Sequence, residues 1–219
     1  NRITTLMHTG THMNAPLHLI QGGADLAKVS IEHFFGNGVV LNIPKKAHEV
    51  ITAADLEAAI PAVQDGDIVV IVTGWHKNYS DGLEYFGEAP GLSKEAAEWL
   101  VKKNPKMVAV DTPHIDHPMA TQMTSHRTGP HMRRSADVYT AATGLDPKKE
   151  HPEWNIAHKT LLGAGIPTIE QVGGDVNTVA GKRATLAATP WKFNFGDACP
   201  VRLVAMMDPS GEMRIEPGN

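Results

Sequence analysis

Residues 67–73 read DIVVIVT, a short apolar run rich in β-branched side chains. Asp65-Gly66 turns the chain before it and Gly74 follows it. A continuous apolar stretch of this length between turn signals reads as a strand, the clearest in the chain. Working outward, GVVLNI (38–43) is a second such strand, closed by Pro44. Between the two, Thr52-Ala53-Ala54-Asp55 is a variant of the capping box, and Leu56, Ala59 and Ile60 follow at helical spacing. This predicts a helix over about 53–63. Ser93 caps a further helix over 94–103, with Ala97, Leu100 and Val101 on one side, and MVAV (107–110) is the next strand. Asn155 caps a helix running through Leu162, stopped by Gly163 and Gly165, and strands are expected over 166–172 and 201–207. Strands alternate with helices, so the class is α/β, a mixed sheet with flanking helices.

The chain of 219 residues reads as one domain. The segment 113–153 stands apart. It carries five prolines and His114, His117, His126, His131 and His151, without clear periodicity. A connection of that length is uncommon unless functional, so it is expected to be a lid or an oligomer contact. Twenty basic against 24 acidic residues gives a net charge of −4, and no Lys/Arg stripe appears, which argues against a nucleic-acid partner. No apolar run is long enough to cross a membrane. One cysteine, Cys199, allows no intrachain disulfide and reads as a small buried hydrophobe. No apolar leader occurs in the first twenty residues, although the chain opens on Asn1, and a cytoplasmic location is expected.

Twelve histidines are the unusual feature of the composition. Residues 8–18 read HTGTHMNAPLH. Thr9, Gly10, Thr11, Asn14 and Pro16 are poor helix formers, so the segment is extended. Alternation then places His8, Gly10, His12 and Asn14 on one face. On a straight strand His8 and His12 would stand about 13 Å apart, so one ion can take both only if the chain kinks, and Gly10 is where a kink is cheap. Pro16 keeps Ala15 extended and fixes the backbone from which His18 projects. Imidazoles beside an amide oxygen suit Zn²⁺, Mn²⁺ or Fe²⁺.

This segment resembles the signature H-x-G-T-H-x-D-x-P-x-H of the cyclase family of metal-dependent hydrolases, which includes kynurenine formamidases, isatin hydrolases and some lactam hydrolases. Six of its seven specified positions match, and Asn14 stands where the signature has Asp. HKTLLGAGIPTIEQV (158–172), GLSKEAAEWL (91–100) and VAVDTPHIDHP (108–118) also resemble the family. The resemblance implies a swivelling β/β/α fold, a homodimer or homotetramer, and one or two divalent ions, Mn²⁺ or Zn²⁺. It implies His8, His12, Asn14, His158 and Glu170 as metal ligands and His18 as the acid/base. Glu170 either ligates the ion or holds the catalytic water. An amide bridges two cations poorly, so a single ion per subunit is expected.

Trp75, His76, Tyr79 and Phe86 follow the DIVVIVT strand. Ligands often bind at strand ends of α/β sheets, so these four are the candidate substrate-binding residues; a small satellite core is the alternative. Asp111, at the end of the MVAV strand, reads as turn chemistry. The expected activity is hydrolysis of the carbon–nitrogen bond of a small amide, with a lactam or isatin-like substrate first. An N-formylkynurenine-type formamidase, a lactone hydrolase and a non-catalytic metal-binding protein are the alternatives.

Overall fold

The computed structural model describes residues 2, 4–121 and 130–208. The DIVVIVT run forms strand β4 (Ile68–Val72) near the middle of an eight-stranded mixed sheet. The other strands of this sheet are β1 (His12–Asn14), β2 (Phe35–Asn42), β6 (Met107–Val110), β7 (Thr168–Glu170), β8 (Lys182–Ala187), β9 (Ala198–Pro200) and β10 (Val204–Met206). Two short strands, β3 (Val50–Ile51) and β5 (Gly91–Leu92), pair separately. The order is β10-β8-β2-β4-β6-β7-β1-β9, with β2, β4, β6 and β7 parallel and the remaining pairs antiparallel.

The unbroken apolar strands follow from burial on both faces. On one face Val39, Leu41, Val69, Ile71, Val108 and Val110 meet the helices: Leu56 of α1 (Ala53–Ala58), Ala97 and Leu100 of α3 (Lys94–Lys102) and Leu161 of α6 (Ile156–Gly163). On the other, Val40, Ile68, Val70, Met107 and Ala109 pack with Met13, Ile169, Leu186 and Cys199. Cys199 is fully buried, as its setting implied.

The helix ends show where local signals prevailed. The capping box at Thr52 and Asp55 is complete, but α1 stops at Ala58 rather than at about residue 63. Pro61 holds the residue before it out of the helical region, so the apolar periodicity outruns the helix. Ser93 Oγ accepts from Ala96 N at 3.1 Å and starts α3 where expected. Asn155 precedes α6 but makes no capping bond; it lies in the left-handed region at φ 49°. The buried Asp116 carboxylate caps α6 instead, accepting from Ala157 N at 2.8 Å and His158 N at 3.2 Å. The strands expected over 166–172 and 201–207 shorten to β7 and β10.

The segment 113–153 is in part core. Ile115, Asp116, His117 and Met119 are buried, and α4 (Pro130–Thr143) and α5 (Pro147–Glu150) follow, while residues 122–129 lie outside the described residues. Another short helix, α2 (Leu83–Gly87), precedes β5. Gly91 of β5 runs so close to the 116–117 backbone that a β-carbon there would lie 2.1 Å from His117 N, which leaves room for glycine alone.

His117 is held as a neutral ring. Its Nδ1 accepts from Met119 N at 3.1 Å, so Nε2 carries the hydrogen and donates to the His48 carbonyl at 3.2 Å. The ring stacks on His151 with centroids 4.1 Å apart and planes 5° from parallel. Burial, and for His117 also the neighbouring His151, pushes the two down to about 3 and about 4 from the ordinary 6.5. Both are thus depressed in the folded chain, and the unfolded chain binds more protons between these values. Their contribution is fully present above pH 6.5 and is lost as pH falls toward 4. Urea denaturation at pH 7.5 and 5.0 should therefore show a lower midpoint at the acid value, and His151→Phe should narrow that gap; an unchanged gap would contradict the assignment.

Candidate functional site

The site begins with the register of β1. His12 lies opposite Glu170 and Asn14 opposite Thr168, while Met13 lies opposite Ile169. Alternation turns His12, Asn14, Thr168 and Glu170 to one side of the pair and sends Met13 and Ile169 into the apolar core. Gly10 has φ 61°, and the kink it makes brings the His8 and His12 rings to 5.2 Å between centroids. Pro16 opens a single 3₁₀ turn that ends at His18.

The residues separate into two layers. The inner layer is His12, Asn14, His158 and Glu170, all buried. His12 Nδ1 donates to the Gly10 carbonyl at 2.8 Å, so Nε2 is the nitrogen that faces the site. His12 Nε2 stands 3.2 Å from Glu170 Oε2, an ion-pair distance. Asn14 Nδ2 lies 3.2 Å from His158 Nε2 and donates to Glu170 Oε2 at 3.3 Å. Asn14 Oδ1 is fully buried and has no hydrogen-bond partner among the described residues. His158 Nε2 also meets Thr168 Oγ1 at 2.7 Å, and its Nδ1 lies 3.8 Å from Glu170 Oε1. Glu170 Oε1 accepts from Ile115 N at 2.8 Å.

The outer layer is His8, His18 and Asp197. The His8 and His18 rings stand 4.4 Å apart, and one ligand atom from each of the three groups falls within 4.8 Å of the others. The His18 ring is 5.4 Å from that of His158. A cavity of about 390 Å³ has His8 and His18 of the outer layer and His12, His158 and Glu170 of the inner layer in its walls, with Phe86. It sits at the carboxyl ends of β6 and β7, where ligands of α/β sheets bind. Gln171, directly after Glu170, takes the left-handed conformation at φ 58°, a strained turn of the kind found at functional sites.

The charges are poised for a cation. Burial opposes ionisation of Glu170, but the imidazoles of His12, His158 and His114 outweigh it and hold the carboxyl well below the usual range. Burial likewise opposes protonation of His12, yet the adjoining Glu170 raises it. Burial lowers His158 to about 4, so it is a neutral ring with a lone pair to offer. His18 is lowered by burial and by His8. Among the described residues His12 Nε2 and Asn14 Oδ1 are buried without a hydrogen-bond partner, and beside an ionised carboxylate they fit a divalent ion with nitrogen and oxygen ligands, which would take the place of the proton that Glu170 favours on His12.

The structure brings six of the sequence candidates, His8, His12, Asn14, His18, His158 and Glu170, to one place. The aromatic group divides. Phe86 reaches the cavity, whereas Trp75, His76 and Tyr79 are not among its described lining residues. Trp75 packs with Tyr85 and Ala89 in a satellite cluster and donates Nε1–H to the Tyr85 carbonyl at 2.9 Å. His76 Nδ1 is bound to Asp111 Oδ2 at 2.7 Å, and Tyr79 is 65% exposed. Asp111 is turn chemistry in fact: its carboxylate accepts from Thr73 N and Oγ1 and from Gly74 N, locking the chain after β4. Three further groups, His114, Asp116 and Asp197, were not among the sequence's site candidates. His114 and Asp116 line the wall, and Asp116 is pushed up to about 7 by burial despite the two α6 amides it accepts from. Both lie in the VDTPHIDHP stretch, whose density of titratable residues was the available signal. Asp197 is 179 residues from His18, and no local pattern marks it.

A family model for putative cyclases matches residues 1–117. The chain belongs to the cyclase family. A kynurenine formamidase of Erythrobacter litoralis is 29% identical over 126 residues, covering 58% of this chain and 55% of that protein, so the match spans about half its length. An uncharacterized protein of Haemophilus influenzae is 30% identical over 105 residues, 47% of this chain and 74% of that one. Among solved structures, isatin hydrolase A from Labrenzia aggregata superposes with a TM-score of 0.67 at 22% identity, covering 92% of this chain and 74% of that one. A potential metal-dependent hydrolase with cyclase activity superposes at 0.66 and 24%, covering 92% and 80%. These likenesses establish a cyclase-type α/β fold. Among the described residues no helix is long and apolar enough to cross a membrane.

Proposed function

We propose that this cyclase-family chain is a metal-dependent hydrolase that cleaves the carbon–nitrogen bond of a small amide, a cyclic amide of the lactam or isatin type first. The observation that carries this reading is the inner layer. A buried, ionised Glu170 faces His12 Nε2 across 3.2 Å, with Asn14 Oδ1 beside them, unpartnered among the described residues. A buried carboxylate that relies on imidazoles for its countercharge is costly, and a cation in contact with these atoms would offset that cost. His12, Asn14, His158 and Glu170 would hold the ion, Mn²⁺ or Zn²⁺, with His8 reaching it from the cavity wall. When bound, such an ion polarises a carbonyl and lowers the pKa of water to about 7.

The chain's own groups supply the rest. His18 lines the cavity and carries the proton, taking it from the attacking water and returning it to the leaving nitrogen, so that water is added across the C–N bond. Phe86 offers its ring to a flat substrate, and the buried floor excludes bulk water. The single neutral amide of Asn14, in place of a bridging carboxylate, favours one ion per chain. A second reading, hydrolysis of an N-formyl anilide, is supported by the sequence match to a kynurenine formamidase.

The test is elemental analysis of protein purified with Mn²⁺ or Zn²⁺, with assays on isatin, a γ-lactam and N-formylkynurenine. One ion per chain and turnover of at least one substrate are expected. His12→Ala should lose the ion and at least about 100-fold in activity while its thermal melt is retained. A tightly bound ion with no turnover of any of the three, or full activity in His12→Ala, would overturn the reading. Asn14→Asp should tighten ion binding in a calorimetric titration and admit a second ion. Unchanged affinity and stoichiometry would show that residue 14 does not face the ion.

A further inference from the structure

Asp197 stands beside the outer histidines with no part in the inner layer. It directly precedes β9, and backbone bonds fix it: its carbonyl accepts from Ala15 N at 2.8 Å, and the Gly196 carbonyl accepts from Leu26 N at 2.9 Å. One atom, Oδ2, meets both outer histidines, His8 Nε2 at 3.1 Å and His18 Nδ1 at 3.3 Å. An ionised carboxylate only accepts, so in each ring the nitrogen facing it carries the hydrogen. The two rings are thereby fixed in opposite senses. His8 is protonated on Nε2, whereas His18 is protonated on Nδ1 and keeps the lone pair on Nε2. A free imidazole in water prefers the Nε2–H form, in which His18 would present a hydrogen where a proton has to be received.

We propose that Asp197 is a positioning residue that holds His18 as its Nδ1–H tautomer, leaving Nε2 as the proton acceptor of the hydrolytic step. This rests on the reading of His18 as the proton carrier. The arrangement is a carboxylate–imidazole pair, in which the acid fixes tautomer and orientation and takes no proton itself. His8, bonded to the same oxygen, keeps the carboxylate from swinging into solvent. The Asp197 side chain is 44% exposed, so water replaces part of what is lost on its removal. The expected effect is therefore about 10- to 100-fold, smaller than for a fully buried partner.

The test combines spectroscopy, metal content and kinetics on the zinc-loaded full chain. Nitrogen-15 NMR of the imidazoles, with His18 assigned through His18→Gln, should show His18 with hydrogen on Nδ1 in the parent protein. In Asp197→Ala it should shift toward Nε2–H. For Asp197→Ala, kcat should fall about 10- to 100-fold with KM within about twofold and the ion content unchanged. Asp197→Asn, whose amide oxygen still accepts, should fall between the two and guards against a folding defect. Three results would overturn the proposal: an unchanged His18 tautomer in Asp197→Ala; loss of an ion, which would make Asp197 a ligand; or an unchanged kcat where His18→Gln is inactive. If the parent protein hydrolyses nothing, the hydrolase reading fails by itself, and the NMR comparison still decides what Asp197 does to His18.

Discussion

The pairing of β1 with β7 is the constraint on which the site depends. With His12 opposite Glu170 and Asn14 opposite Thr168, one side of a buried strand pair is polar. The other side, Met13 and Ile169, belongs to the apolar core. A slip of one residue would exchange the two sides, burying the polar set in hydrocarbon and exposing methionine and isoleucine to the cavity. The register is thus held by the core, and the core in turn fixes which ligand atoms meet. The remaining difficulty is electrostatic. Glu170 accepts from Ile115 N and Asn14 Nδ2, but two neutral donors do not neutralise a buried charge. The unsatisfied atoms around it have the valence of a cation site.

The two layers differ in how they are supported. The inner groups come from a sheet interior and from α6, whose amino end is tied to Asp116 and so to the backbone that also feeds Glu170. The outer groups come from segments near the two ends of the sequence, His18 from a single 3₁₀ turn, and the two histidines meet at one carboxylate oxygen of Asp197. This division suits the chemistry, since an ion needs ligands that do not move and a proton carrier needs a fixed tautomer with access to substrate.

Much of this was legible in the sequence. DIVVIVT and MVAV specify strands, and one ion can take both His8 and His12 only with the bend found at Gly10. Asn14 and His12 share a face because alternation is a property of any extended chain. The limits are equally physical. Helical periodicity continues past Ala58 although Pro61 ends the helix, and Asn155 has the composition of a cap while Asp116, distant in sequence, does the capping. Trp75 and His76 follow a strand end, yet their polar atoms are spent on the Tyr85 carbonyl and on Asp111. Asp197 was beyond reach because a contact across 189 residues leaves no trace in local spacing.

The most direct measurement is anomalous diffraction from crystals grown with Mn²⁺ or Zn²⁺. The account predicts one strong peak per chain at bonding distance, about 2.0–2.3 Å, from His12 Nε2, Asn14 Oδ1 and a Glu170 oxygen. A crystal with no peak there, or with its only peak among His8, His18 and Asp197, would contradict it.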